Sequence, residues 1–353
     1  MAFKIKNIKK KIFFVSFVCI TLFLLLSGCD AKLKKIQKEI FSLNTVIDIT
    51  VYGDKEAEKV LQKAINRIYE IENRMSATIS KSDVSLINQN AGKRPVKVHD
   101  DTFFVIQKAL EYGELTNGAF DISIYPLVKL WDIKSQNKNI PSKEEINAVL
   151  DLVDYKKIKL NFDEKTVFLE KEGMSIDLGG IAKGYAVDEV RDILVEGGTK
   201  HGLIYMGGDI AVIGNKPEGG LWRIGIEDPR YKNEGSRFFA VTESADLSVV
   251  TSGDYQRYVE IDGKRYHHIF NPYTGYPAET NVMSTTVIGK SSIDADALAT
   301  AIFVLGVDEG FEIMEKIHEF DGIIVTKDKY VYITKRLKDK VDIVKKEYTQ
   351  GNI

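Results

Sequence analysis

The sequence predicts an α+β fold: one large domain of mixed or antiparallel sheets flanked by helices, a description that a bilobal arrangement also fits. Three observations carry the prediction. Residues 202–334 are dominated by short apolar runs broken at turn residues. Helical periodicity is confined to a few separated segments, with no regular strand–helix alternation. No internal repeat and no long Pro/Gly/Ser linker divides the chain.

Taken in order, residues 43–52 alternate as a strand should, with Val46, Ile47, Ile49 and Val51 set among Asp48 and Thr50, and Gly53-Asp54 turns the chain. From 55 to 74, Ala57, Val60, Leu61, Ala64, Ile65, Ile68 and Ile71 recur at three and four, which makes one apolar helix face. A second helix is predicted over 101–115. Residues 158–162 and 166–170 read as a hairpin about Asp163-Glu164-Lys165, followed by a strand over 174–178 and a helix over 181–196. Strands over 202–206, 210–214, 222–226, 238–242 and 247–251 come next, then a hairpin turning at Asp262-Gly263. A helix from near Asp294 runs to Leu305 and stops at Gly306, another covers 309–320, and a hairpin over 322–334 closes.

Across 353 residues, 49 Lys+Arg face 51 Asp+Glu, a formal charge of −2. There is no broad basic field to neutralise phosphates, so nucleic acid is excluded as the main ligand. With 44% hydrophobic residues, 16 Tyr and 17 Phe the chain is not disordered. Two cysteines exclude a disulfide-stapled scaffold and any multi-cysteine metal cage.

The first segment carries Lys4, Lys6, Lys9, Lys10 and Lys11 without an acid, then an almost wholly apolar stretch over 12–26 that ends in Leu26-Ser27-Gly28-Cys29. That stretch is short for a bilayer-spanning helix of about 20 residues, and the pattern is that of a bacterial secretion signal. Its end resembles a lipobox. Residues 1–28 are therefore expected to be a lipoprotein signal peptide and Cys29 the lipidated first residue of the mature chain; an uncleaved anchor helix is the alternative. Either way the remainder is expected outside the cytoplasmic membrane; in the lipoprotein reading it is lipid-anchored to that membrane. Removing residues 1–28 leaves 44 basic against 51 acidic residues, a formal −7. Residues 29–40, with Lys32, Lys34, Lys35 and Lys38, are expected to be a tether, lying near anionic lipid or simply solvated.

Chemistry-bearing residues gather around glycines: 116–121 (TNGAFD), 177–184 (DLGGIAKG) and Gly207-Gly208-Asp209. The second cluster precedes a helix, where open amides and the helix dipole favour a phosphate and Lys183 adds charge. It matches neither GxGxxG nor GxxxxGK[ST], and tight turns alone would also explain such glycines. In 292–306 (SIDADALATAIFVLG), Asp296 and Thr300 share one helix face four residues apart, an oxygen-only pair suited to Mg²⁺. The alternative makes Asp294 the helix N-cap and bonds Thr300 back to a carbonyl. His267 and His268 are adjacent on a strand, so one of them points inward, and the strand ends beside a Pro/Gly loop where a base would be accessible. No HExxH or GxSxG occurs.

Several ordered blocks combine these features: Met75-Ser76 with Ser82-Asp83 and Asn88; Gly118-Ala119-Phe120-Asp121 leading to Pro126-Leu127-Val128 and Leu130-Trp131; 177–188 (DLGGIAKGYAVD); Gly207-Gly208-Asp209; 251–255 (TSGDY); His268-Ile269 with Asn271-Pro272 and Thr274-Gly275; and 294–301 (DADALATA). Together they resemble the ApbE-type FAD:protein FMN transferases over essentially the whole mature chain. The resemblance implies an ApbE-like domain over 41–345 with a C-terminal tail at 346–353. It implies an enzyme that takes extracytoplasmic FAD as substrate, requires Mg²⁺, joins FMN by a phosphoester bond to a Ser or Thr hydroxyl of an acceptor, and releases AMP. The implied acceptor is a flavoprotein subunit of a membrane electron-transfer system. Carried over residue by residue, the resemblance gives the metal to Asp296, Thr300 and a backbone carbonyl near Gly180. It gives FAD to Leu43, Ser76, Ala77, Thr78, Ala119, Phe120, Asp121, Asp177, Lys183 and Ile269. His268 becomes the base for the acceptor hydroxyl, with Asp296 indispensable to the chemistry. The chain departs from the family pattern at Leu43-Asn44-Thr45, at Thr78-Ile79 where an aromatic often flanks the flavin, and at Phe270-Asn271. Competing functions are a Mg²⁺-dependent FAD pyrophosphatase giving FMN and AMP, and a non-catalytic FAD-binding lipoprotein.

Overall fold

A computed structural model describes residues 33–135, 139–232 and 235–351. The chain starts with strands β1 (Lys34–Ser42) and β2 (Thr45–Gly53), helices α1 (Lys55–Met75) and α2 (Asp83–Gln89), and a short β3 (Val96–Lys97). Helices α3 (Asp100–Leu115), α4 (Tyr125–Trp131) and α5 (Lys143–Leu150), the hairpin β4 (Ile158–Asn161) and β5 (Thr166–Leu169), and α6 (Ala182–Glu196) follow. Then come β6 (Gly202–Met206), β7 (Asp209–Ile213), β8 (Trp222–Glu227), β9 (Phe238–Ser244), β10 (Ser248–Gly253), β11 (Tyr258–Ile261), β12 (Lys264–His267) and β13 (Val282–Gly289). Helices α7 (Ser292–Leu305) and α8 (Val307–Lys316) and strands β14 (Phe320–Thr326), β15 (Tyr330–Ile333), β16 (Val341–Ile343) and β17 (Thr349–Gln350) complete the described chain. This is the α+β class that the sequence predicts.

Nine strands form the central sheet in the order β1-β2-β6-β7-β10-β13-β14-β15-β17. Pairing is antiparallel from β2 through β15 and parallel between β15 and β17. Alternate residues serve two different cores: Val250, Val287 and Ile324 pack with α1, α6 and α7, while Val249, Ile288, Ile323 and Val325 pack with β8 and β9 on the opposite face. With both faces covered, all eight residues of β13 are buried and its sequence (VMSTTVIG) shows no polar–apolar alternation, which hides it from periodicity.

The first helix is as expected. Asp54 caps α1 by accepting from Glu56 N, and Leu61, Ala64, Ile65, Ile68 and Ile71 are buried along it. Four local expectations change. Strand β1 begins at Lys34, inside the stretch 29–40 assigned to a tether, with Ile36 and Ser42 turned inward. Leu43 and Asn44 are not the start of a strand but its two-residue turn, both with positive φ (49° and 59°), the twist that a tight hairpin requires. Residues 174–178 form no strand; Asp177 N bonds instead to Ile122 O. The segment 346–353, assigned to a tail, contains β17 and the buried Tyr348, whose hydroxyl donates to Asp228 at 2.6 Å. Residues from Lys35 onward form a single unit, not two lobes. Cys29 and residues 1–28 lie outside the described residues, among which no helix is long and apolar enough to cross a membrane.

Candidate active site

Helices α6 and α7 meet at Gly184, where a Cβ would stand 2.3 Å from Ser292 O, so only glycine lets these backbones approach so closely. One turn along α6, Asp188 accepts the amides of Ser292 and Ile293, each at 2.9 Å, and so satisfies open N–H groups at the start of α7. Ser291 is the N-cap of α7, and its hydroxyl donates to Asp294 Oδ2 at 2.6 Å. The alternative that made Asp294 the cap is thereby corrected.

With the first turn of α7 fixed, Asp296 faces α6. Its carboxylate accepts from Lys183 Nζ at 3.0 and 3.1 Å and from Gly184 N at 3.1 Å. Asp209, the first residue of β7, accepts from the same ammonium at 2.9 Å. Both carboxylates are buried. Burial pulls the Lys183 ammonium down, but the two carboxylates more than reverse this and hold it charged. Asp209 is pushed up by burial and then by the neighbouring Asp296. One ammonium between two acids leaves an excess of negative charge that a cation would neutralise.

Thr300 lies one turn beyond Asp296, its hydroxyl 3.2 Å from Ser252 Oγ and bonded to no carbonyl in α7. A Cβ on Gly180 would stand 3.6 Å from Thr300 Oγ1 and 3.2 Å from Phe120 Cε2, so the missing side chain leaves a cradle bounded by these two residues. Asp296, Thr300 and main-chain carbonyls make a hard, oxygen-only donor set. That set fits Mg²⁺, which takes few protein ligands and keeps its waters. Among the described residues no cluster of three or more His, Cys, Asp or Glu side chains is arranged to hold a metal.

The two histidines separate as adjacent strand residues must. His267 is buried, its Nε2 3.1 Å from Ala278 O and its Nδ1 accepting from Ile269 N at 3.3 Å. His268 is only half-buried; its Nδ1 lies 3.2 Å from Arg257 O, which assigns the proton to Nδ1 and leaves the Nε2 lone pair free. Burial, then Arg257, His267 and Lys183, push its pKa down to about 3. The segment is held by a small core of Leu127, Trp131, Ile146, Val259, Tyr266 and Phe270. Within it Trp131 stacks on Tyr266 at 5.6 Å and donates Nε1–H to Gly275 O at 2.9 Å.

Other expected site residues divide between an accessible rim and the interior. Ser76, Ala77 and Thr78 form the turn after α1, with Ser76 Oγ accepting from Thr78 N at 3.2 Å. Leu43 N donates to Glu72 Oε1 at 2.9 Å, tying the β1–β2 turn to α1. Asp177 accepts from Gly179 N at 2.6 Å and is raised by burial, against the charges of Lys134 and Arg257. Ala119 and Phe120 are buried. Asp121 is buried with its carboxylate committed to Ser123 N, Ser123 Oγ and Tyr155 N at 2.7, 2.6 and 2.9 Å, so its side chain braces the loop instead of facing a ligand. Burial pushes it up to about 6. Ile269 packs in the main core. Asp209 stands in the Gly207-Gly208-Asp209 cluster that the sequence singles out but to which it assigns no role, whereas Arg257, which donates to Asn44 O at 3.0 Å, stands in no local pattern and escapes sequence reasoning.

A family model described as the ApbE family matches residues 43–324. The chain is 31% identical over 333 residues to an FAD:protein FMN transferase of Treponema pallidum, covering 90% of this chain and 91% of that protein. It is 35% identical over 292 residues to one from Klebsiella pneumoniae, covering 83% and 89%. Among solved structures it is similar to the ApbE protein of Thermotoga maritima, with a TM-score of 0.80 at 32% identity over 87% of this chain and 99% of that one. The flavin transferase ApbE from Vibrio cholerae gives 0.79 at 28% identity, with the same coverage.

Proposed function

The chain belongs to the ApbE family, and from that membership we propose that it is an FAD:protein FMN transferase, moving FMN from FAD onto a Ser or Thr hydroxyl of an acceptor flavoprotein. The hydroxyl oxygen forms a new bond to the FMN phosphorus, the bond between that phosphorus and the bridging oxygen breaks, and AMP leaves with the bridging oxygen. The observation that carries this reading is that His268 Nδ1 is held by Arg257 O, which leaves Nε2 as the proton acceptor, while the charge of the Lys183–Asp296 centre reaches the same imidazole. Nε2 takes the proton of the attacking hydroxyl. In the free protein His268 is a weak base; a phosphate-bearing substrate brings negative charge beside it and raises its proton affinity where the reaction needs it.

Asp296, Thr300 and a carbonyl near Gly180 would hold Mg²⁺, which when bound supplies charge neutralisation for the phosphoryl oxygens. Lys183 shares the Asp296 carboxylate and fixes its orientation, Gly184 N fixes it from the other side, and Asp209 keeps Lys183 in place. The turn at 76–78, the half-buried Asp177 and the Leu43 turn line the approach to this centre in the proposed FAD site. Localisation belongs to the same proposal: anchorage through a lipid on Cys29, outside the cytoplasmic membrane, with an acceptor in a membrane electron-transfer system.

The test supplies FAD and Mg²⁺ to the purified protein with and without a Ser/Thr-bearing acceptor flavoprotein, following AMP by chromatography and covalent flavin by in-gel fluorescence. AMP with a fluorescent acceptor band is expected. AMP and free FMN regardless of acceptor would make the enzyme a pyrophosphatase, and bound FAD without AMP would make it a carrier.

A further inference from the structure

Among the described residues, the half-buried arginines Arg67, Arg74, Arg191, Arg230 and Arg265 each have a carboxylate within 4 Å. Arg257 is half-buried and has none. Among the described residues its one side-chain hydrogen bond runs from Nη2 to Asn44 O at 3.0 Å, and its other nitrogens are not sealed from solvent. A guanidinium partly withdrawn from water with no carboxylate within 4 Å is under-compensated, and burial pulls this one below the ordinary arginine value, with Asp177 acting in the opposite direction. Such a cation is suited to an anion that arrives from solution.

Its position says which anion. The carbonyl of Arg257 accepts from His268 N at 3.1 Å and lies 3.2 Å from His268 Nδ1, so the guanidinium and the imidazole hang from the same point of backbone. Its charge is felt by Asp177 on one side and His268 on the other. Lys183, another cation of the site, already lies between Asp209 and Asp296, and the two carboxylates offset its charge. A base that deprotonates a hydroxyl for attack on phosphorus must have that phosphorus nearby, and the planar fork of an arginine matches two phosphate oxygens at once.

We propose that Arg257 is a substrate-binding residue that takes the pyrophosphate oxygens of the dinucleotide on the His268 side of the site. The inference rests on FAD being the substrate and adds the group that grips its charged middle. Asn44 O aims the fork, and the β1–β2 turn is its mount.

The test measures ADP binding to the full-length protein by calorimetry in EDTA, together with the thermal midpoint of the free protein, for wild type, Arg257→Gln and Arg257→Lys. Expected is at least a tenfold loss of ADP affinity in Arg257→Gln, an intermediate affinity in Arg257→Lys, and an unchanged midpoint. Unchanged ADP affinity in Arg257→Gln, with or without a lower midpoint, would overturn the proposal, because a mere clamp on Asn44 predicts that result. Absence of ADP binding in wild type would overturn it as well. If wild type binds ADP through Arg257 yet never cleaves FAD, the anion site stands and the transferase reading fails.

Discussion

The main-chain oxygen of Arg257 lies 3.2 Å from Nδ1 of His268 and so decides which imidazole nitrogen can accept a proton. His268→Gln, which retains a hydrogen-bonding group but no base, should lower FMN transfer by about 10²–10⁴-fold with FAD affinity little changed. Single-turnover AMP release and fluorescence titration separate the two effects; wild-type turnover would remove His268 from proton transfer.

The same histidine makes a stability prediction. Its pKa falls from 6.5 to about 3 in the folded protein, so between those values the unfolded chain binds a proton that the folded chain refuses. The contribution is complete above pH 6.5 and is lost as pH falls towards 3. His268→Gln lacks it, so its urea-unfolding free energy should decline less steeply than that of wild type over this window. Parallel slopes would mean that the imidazole is not held neutral.

Asp296→Asn should abolish Mg²⁺-dependent AMP release while leaving the fold intact, because Lys183 retains Asp209 at 2.9 Å and Asp209 is relieved of a like charge. Circular dichroism melts and AMP chromatography on the same sample check both halves.

Asp209→Asn tests a different coupling. With this carboxylate neutralised, the Lys183 charge falls more heavily on Asp296 and competes with any cation there. The Mg²⁺ concentration for half-maximal activity should rise several-fold, with kcat recovered at saturation. A Mg²⁺ titration that overlays wild type would show that Asp209 does not govern the centre.

Gly184→Ala puts a methyl group 2.3 Å from Ser292 O. Overpacking of this kind costs about 1–3 kcal/mol, and here it also separates Asp296 from Lys183 and Gly184 N. Lower thermal stability and lower activity should appear together, and full activity in a destabilised protein would uncouple the helix crossing from the chemistry.

Much of this fold was legible because its long helices and edge segments expose one face: α1 shows its buried Leu61, Ile65 and Ile68 at helical spacing. Central strands were less so. In β13, Ser284, Thr285 and Thr286 are buried beside Val287 and Ile288, and Thr285 Oγ1 donates to Ala299 O at 2.6 Å, so hydroxyl-bearing residues serve the interior and no alternation survives. Helices α2, α4 and α5 are seven or eight residues long, too short for a period to register. In the candidate site, motif positions point to Asp296, Thr300 and Lys183. The carboxylate environment of Lys183 depends on Asp209, 26 residues away in sequence, and Arg257 reaches Asn44 across 213; no local pattern encodes separations of that size.

A sheet of nine strands has two ends, and each is a template on which another chain could add a strand. At one end β1 carries exposed Lys34, Lys35 and Lys38, so a second copy aligning there in parallel register would bring lysine against lysine. At the other, β17 offers only two residues, too few to seed a ladder. The basic stretch that reads in the sequence as a tether is thus also a guard against edge-to-edge aggregation, and replacing its lysines with threonine or valine would convert the rim of this sheet into an adhesive surface.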